Sequence, residues 1–186
     1  MSHRVCPWWL GYILASPIRR LLQGDPEKIL EPYVREGMTV LEPGPGMGFF
    51  TLPLARRVGP TGRVVAVDMQ PKMIASLKRR LDRAGLLDRV DARVVPPDTM
   101  GLTGLAGAVD FTLAFALVHE LPGVEPFFAE IARASKPGSR LLFAEPAGHV
   151  KPADFEAELQ AAAKAGFEVV ERPAIRRSHA ALLIKS

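Results

Sequence analysis

The sequence predicts an α/β domain: a doubly wound, mostly parallel sheet with an antiparallel last strand and helices on both faces. Three observations predict it. Apolar β-type runs alternate with helical stretches of about 10–15 residues, the pattern of right-handed βαβ units. The first run, Thr39-Val40-Leu41-Glu42-Pro43, breaks into Gly44-Pro45-Gly46-Met47-Gly48 and then into a helical pattern. That strand–turn–helix order brings backbone N–H groups up against a ligand. The last two β-type runs have only Pro173 to His179 between them, too few residues for a parallel crossover, so they pair antiparallel.

The elements follow in order. Trp8, Trp9, Tyr12, Ile13 and Leu14 form an aromatic-apolar cluster, and Pro17 to Gly24 reads as a short helix. Asp25-Pro26-Glu27 supplies an N-cap and a first-turn proline, opening a helix through about Val34. Strand one is roughly 39–43, its helix about 48–58, and strand two 63–68. A helix over 71–83 places Met73, Ile74, Leu77 and Leu81 on one face. Strand three spans 90–95, strand four 109–115, and a helix 123–135 turns Phe127, Phe128 and Ile131 inward. Lys136-Pro137-Gly138-Ser139 reads as a turn, followed by strand five at 140–145, a helix over 153–165, and strands at 167–172 and 180–185.

The 186-residue chain is 48% hydrophobic and 24% charged, ordinary for a globular protein with one core. Net charge is +4, but the basic residues are scattered, as in Arg56-Arg57 and Arg176-Arg177, which argues against nucleic acid as a partner. Cys6 is the only cysteine, so neither an internal disulfide nor a Cys metal cluster is expected, and a cytoplasmic setting is. The patch from Trp8 to Leu14 falls short of the ~20 apolar residues a membrane span needs.

Asp68 ends strand two, 20 residues after Gly48. An acid there accepts hydrogen bonds from the ribose hydroxyls of an adenosine-type ligand beside the glycines; capping the next helix is the alternative role. NAD and S-adenosylmethionine are the candidates. Glu42 would repel a pyrophosphate but attract the ammonium and sulfonium of S-adenosylmethionine. Phe49 also stands where a dinucleotide loop wants a small residue. Both points favour S-adenosylmethionine.

Glu42-Pro43-Gly44-Pro45-Gly46-Met47-Gly48 resembles the first motif of class I S-adenosylmethionine-dependent methyltransferases, acid-x-Gly-x-Gly-x-Gly. Asp68 matches the family's ribose-binding acid. Pro97-Asp98-Thr99 sits where the family commonly has Gly-Asp-Ala, whose Asp bonds the adenine amino group; here Pro97 replaces the Gly. Val109 to Phe115 resembles the fourth-strand motif. Ala116-Leu117-Val118-His119-Glu120 is similar to the Leu-His-His stretch of small-molecule methyltransferases related to ubiquinone biosynthesis. Ser135-Lys136-Pro137-Gly138-Ser139 resembles the signature before strand five. The resemblance covers about residues 36–186 and implies a Rossmann-like, seven-stranded sheet with a reversed last strand. It implies cofactor-binding roles for Glu42, Gly44, Pro45, Gly46, Gly48, Asp68, Asp98 and Phe115, with S-adenosylhomocysteine as product. Phe49 as a wall of the site and Met69 as a stack on adenine are further cofactor-binding candidates, with apolar packing as the alternative for both, and no metal is expected.

Methyl transfer from a sulfonium is an in-line displacement, so the protein mainly holds nucleophile and methyl carbon in line. His119 and Glu120 are the expected catalytic residues: His119 as general base near neutral pH, Glu120 as base or as a holder of a cationic acceptor. Glu145 and His149, leaving strand five, are further candidates. Packing histidines and capping or surface acids are the structural alternatives. No large insertion interrupts the last strands, and strand four lacks the Asn/Asp-Pro-Pro-Tyr type sequence of enzymes that methylate amide or base exocyclic nitrogens. A small aromatic or apolar acceptor is therefore expected. An RNA or protein methyltransferase and a non-catalytic S-adenosylmethionine-binding module are the alternatives. Residues 1–36 are expected to form a helical cap or lid, with a homodimer interface as the alternative, and 37–186 the methyltransferase domain.

Overall fold

Among residues 24–186, the part of the chain that the computed structural model describes, seven strands and five α-helices alternate. The expected aromatic lid of Trp8, Trp9 and Tyr12 lies outside the described residues. Helix α1 is Pro26–Leu30, with the Asp25 side chain accepting the Glu27 N–H. It is shorter than expected because Pro32 has no N–H to donate. The Val34 N–H still reaches Leu30 O at 3.0 Å, and both side chains are buried.

The strands are β1 (Thr39–Pro43), β2 (Arg63–Asp68), β3 (Val90–Val94), β4 (Val109–Phe115), β5 (Ser135–Pro146), β6 (Phe167–Glu171) and β7 (Ser178–Lys185). The remaining helices are α2 (Thr51–Arg57), α3 (Pro71–Arg83), α4 (Val124–Ala134) and α5 (Pro152–Lys164). The sheet order is β3-β2-β1-β4-β5-β7-β6. Strands β1 to β5 pair in parallel, while β7 is antiparallel to both β5 and β6. The reversed strand is thus inserted between its neighbours, as the short connector requires.

Alternating side chains feed two cores, one on each face. Val40, Val64 and Leu142 face one core, where Leu54 of α2 and Leu77 of α3 cover them. Leu41, Val65 and Leu141 face the other, under Phe128 of α4 and Phe155 of α5. Strands buried on both faces are the reason these segments read as near-continuous apolar runs.

Two further boundaries differ from expectation for backbone reasons. Helix α2 starts at Thr51, not near residue 48, because Gly44, Gly46 and Gly48 all have positive φ and cannot begin a right-handed helix. Residues 136–139 are not a free turn but an irregularity inside β5, between the pairs Val109–Ser135 and Phe111–Arg140. Gly138 takes φ +75° there, and Lys136 folds onto Asp110, whose other oxygen accepts the Thr39 N–H at 2.8 Å.

One acid is buried against this core at a cost. Glu158 of α5 is 8% exposed, and its Oε2 has no hydrogen-bond partner among the described residues. Burial pushes its carboxyl up to about 7, and the Glu145 charge adds to the rise. The folded state therefore holds a proton that the unfolded chain releases earlier, so this group's stabilising contribution declines as pH climbs from the usual carboxylate range through about 7. Glu158→Gln is expected to raise Tm by ~2–4 °C at pH 8, the shift that about 1 kcal/mol gives in a chain of this size. Little change is expected at pH 5. Thermal melts at the two pH values check this, and an equal effect at both would refute it.

Candidate functional site

The strand order reverses between β1 and β4, which opens a crevice at the carboxyl ends of these strands. Three pieces of chain meet there.

The first is the loop from β1 to α2. Gly44, Gly46 and Gly48 have φ of +66°, +55° and +89°. A Cβ on Gly44 would lie 2.9 Å from Leu117 Cδ1, and one on Gly48 2.6 Å from Leu77 Cδ1. A Cβ on Gly46 would meet nothing within 4 Å. Gly44 and Gly48 are therefore glycine for close packing as well as for backbone shape, whereas Gly46 faces open space. The Gly44 N–H donates to Val67 O at 2.9 Å, the Gly48 N–H to Pro45 O at 3.0 Å, and Arg80 Nη1 to Met47 O. Glu42, 3% exposed, lines a recess together with Gly44, Pro45, Phe49, Phe50 and Phe115. The three rings form its wall: Phe50 packs edge-on against Phe49 at 5.0 Å and tilted against Phe115 at 4.6 Å.

The second piece is the end of β2. Asp68 accepts the Gln70 N–H at 2.8 Å, and the Gly46 backbone N–H of the glycine loop lies close enough to draw its pKa down. Burial pushes its carboxyl up to about 6 against the pull of those two N–H groups, and the charge of Glu120 adds to the rise. Glu120 is thus an electrostatic neighbour of Asp68, although 52 positions separate them in the sequence.

The third piece joins the ends of β4 and β5. Ala116 takes φ +56° and donates its N–H to Ala144 O at 2.8 Å. This left-handed residue, uncommon for a side chain with a Cβ, turns residues 117–120 over the crevice. Glu145 is fully buried. Its Oε1 accepts the N–H groups of Leu117 at 3.1 Å and Val118 at 2.7 Å, and its Oε2 meets His119 Nδ1. A carboxylate only accepts, so Nδ1 carries the proton and Nε2 holds the lone pair of the neutral ring. His119 Nε2 lies 3.9 Å from Glu120 Oε1, and the His149 ring is 5.9 Å from the His119 ring. The hydrogen bond to Glu145 raises the His119 pKa more than partial burial lowers it, and the charges of Glu145, Glu120 and Glu158 add to the rise.

Glu42, Gly44, Pro45, Phe49 and Phe115 line the recess, and the Gly46 N–H is an electrostatic neighbour of the Asp68 carboxylate. His119, Glu120, Glu145 and His149 gather at the adjoining strand ends. Met69 is 38% exposed beside Asp68. Asp98 is exposed on the loop after β3; Thr99 Oγ1 and the Met100 N–H beside it donate to Glu130 Oε2 at 3.1 and 3.0 Å. The sequence places Ala116 and Leu117 ahead of His119 but gives them no role, and it does not single out Arg80. Arg80 reaches Met47 across 33 positions, and a left-handed alanine leaves no compositional mark. Among the described residues no group of three or more His, Cys, Asp or Glu is arranged to hold a metal ion, and no helix is long and apolar enough to cross a membrane.

The family model of a methyltransferase domain matches residues 34–179. A ubiquinone/menaquinone biosynthesis C-methyltransferase of Hydrogenovibrio crunogenus is 33% identical over 113 residues, 60% of this chain and 43% of that protein. A catechol O-methyltransferase of Mycobacterium tuberculosis is 47% identical over 76 residues, 41% of this chain and 34% of that protein. The chain thus spans less than half the length of these two curated relatives. A solved S-adenosylmethionine-dependent methyltransferase from Aquifex aeolicus superposes with a TM-score of 0.84 at 26% identity, covering 97% of this chain and 98% of that one. With the acid-preceded glycine loop, the strand-two acid and the reversed β7 all in place, the chain belongs to the class I S-adenosylmethionine-dependent methyltransferase family.

Proposed function

We propose that the chain binds S-adenosylmethionine along the glycine loop and transfers its methyl group to a small aromatic or apolar acceptor. The observation that carries this reading is the meeting of three features at one crevice: the open space over Gly46, the Asp68 carboxylate whose pKa the Gly46 N–H draws down, and the buried Glu42. Gly46 leaves room for a ligand over the backbone, and Asp68 offers a carboxylate to ribose hydroxyls at the same place. Glu42 supplies negative charge for the amino-acid end, where a pyrophosphate would be repelled. The aromatic wall of Phe49, Phe50 and Phe115 provides an apolar flank. Met69 and Asp98 remain candidates for the adenine end.

When bound, S-adenosylmethionine supplies an electrophilic methyl carbon on a sulfonium. The chain's own work is to orient and to exclude water. His119 and Glu120 lie 3.9 Å apart on the turn after β4, and this reading gives them the acceptor side of the site. The small acceptor is supported by the relatives, one named for ubiquinone and menaquinone biosynthesis and one for catechol. Residues 1–36, with their aromatic cluster, are the segment proposed to cover the acceptor.

Calorimetric titration is expected to give S-adenosylmethionine and S-adenosylhomocysteine binding; binding of NAD with neither of these would overturn the reading. Asp68→Ala is expected to weaken S-adenosylhomocysteine binding about tenfold or more, in line with lost hydrogen bonds to a charged group. Because Asp68 ionises only above about 6, affinity in the native chain should fall as pH drops through that value. At one unit below, roughly a tenth of the carboxylate remains. Asp68→Asn should flatten this dependence, and an affinity indifferent to pH in the native chain would remove Asp68 from the ribose role.

The two glycines separate binding from folding. Gly48→Ala meets Leu77 and Leu52 and should destabilise the fold by about 1–3 kcal/mol. Gly46→Ala projects into open space, so its Tm should change less while cofactor affinity falls. Equal losses of stability with unchanged affinity would place the ligand elsewhere.

A further inference from the structure

We infer that Glu145 makes His119 the proton acceptor of the site, and that the methyl acceptor is correspondingly a neutral hydroxyl compound of the phenol type. This deepens the proposed methyl transfer and rests on it. The geometry assigns different roles to the two residues. Glu145 is fully buried, and both of its oxygens are occupied, by the Leu117 and Val118 N–H groups and by His119 Nδ1. It has no route to a substrate and is a positioning residue. The His119 side chain keeps 22% of its surface exposed on the turn that packs over Gly44. With Nδ1 committed to Glu145, only Nε2 can take a proton.

An acceptor that is already anionic needs no base and would be repelled by the Glu120 and Glu145 carboxylates. A neutral phenol does need one. Its O–H proton passes to His119 Nε2 as an oxygen electron pair forms the new O–C bond to the methyl carbon, and the electrons of the broken C–S bond stay on sulfur. The ring becomes an imidazolium, whose charge the buried Glu145 carboxylate holds in place. The groups that bear on this titration are Glu120 on the same turn, Glu145 on β5, His149 beyond β5, and Glu158 on α5, with Asp154 acting on Glu158.

The test is an NMR titration of the labelled His119 ring in the full chain with S-adenosylhomocysteine added, compared with Glu145→Gln. The native ring should show Nδ1 protonated in the neutral form. In Glu145→Gln the amide can donate to Nδ1, so the proton moves to Nε2 and the ring pKa falls. With catechol as the probe acceptor, His119→Gln and Glu145→Gln should each lower kcat by ~100-fold or more, the usual worth of a general base. KM should change little, and the acid limb of the pH profile in Glu145→Gln should move to lower pH. His119→Gln keeps the kinetic test valid if Glu145→Gln proves unfolded by circular dichroism. A native ring protonated at Nε2, an unchanged titration in a folded Glu145→Gln, or a kcat in His119→Gln within about threefold of native overturns the inference. Loss of S-adenosylhomocysteine binding in the native chain would instead overturn the proposed function. Absence of catechol turnover counts against the hydroxyl acceptor alone, with the ring titration deciding the pair.

Discussion

The backbone turn at Gly44, Gly46 and Gly48 is the constraint on which the crevice depends. Three alternate residues in the left-handed region point the chain out of β1 and back into α2 within seven positions. Only glycine adopts that sequence of angles without strain. The neighbours are built to the same constraint. Leu117 fills the space beside Gly44, and Leu77 and Leu52 fill the space beside Gly48. The loop that carries His119 is therefore seated on the loop proposed to hold the cofactor. A change in one moves the other through direct contact, without any long pathway.

Charge is distributed against the global balance. The chain is net positive, yet its carboxyl edge gathers Glu42, Asp68, Glu120 and Glu145, with Glu158 behind. Burying acids is costly unless donors compensate. The three most informative acids differ in how many donors they receive. Glu145 receives three and is the best satisfied. Asp68 accepts one, from the Gln70 N–H, with the Gly46 N–H adding to its pull, and still rises to about 6. Glu158, whose Oε2 meets no donor among the described residues, rises to about 7. An edge of this kind suits a ligand with positive charge and disfavours one with phosphates.

Much of the fold was legible because both cores draw on strands with strong apolar runs, and because the short connector before β7 left one topology. The glycine loop and Asp68 were legible because their chemistry is local: spacing along the chain equals placement in space across one βαβ unit. The third piece was only half legible. His119 and Glu120 could be named from their position after β4, and Glu145 from its position after β5. Nothing in the sequence says that Glu145 turns inward to Leu117, Val118 and His119 while Glu120 stays partly exposed. That pairing depends on the register of β4 against β5, with Phe115 opposite Ala144, and on the left-handed Ala116. The inserted stretch 136–139 was misread for the same reason: a Pro-Gly pair signals a turn, but not whether strand pairing resumes on both sides.

The strand farthest along the chain fixes the residue at the centre of the site. β7 pairs with β5 from Arg140–Ile184 to Pro146–Ser178, and Glu145 lies opposite His179. His179 in turn bonds Val150 O at 3.1 Å and leans on the Phe155 ring at 5.7 Å, tying the β5 exit to α5. Because β7 runs antiparallel, its connector from β6 arrives at the carboxyl end of β5, where the Ala147 N–H donates to Arg177 O at 3.0 Å. A parallel β7 would instead begin at the opposite edge of the sheet and leave that exit unsupported. The reversed strand thus anchors the backbone that carries Glu145, the Leu117 and Val118 N–H groups hold its carboxylate, and a held carboxylate is what gives the His119 ring a single tautomer.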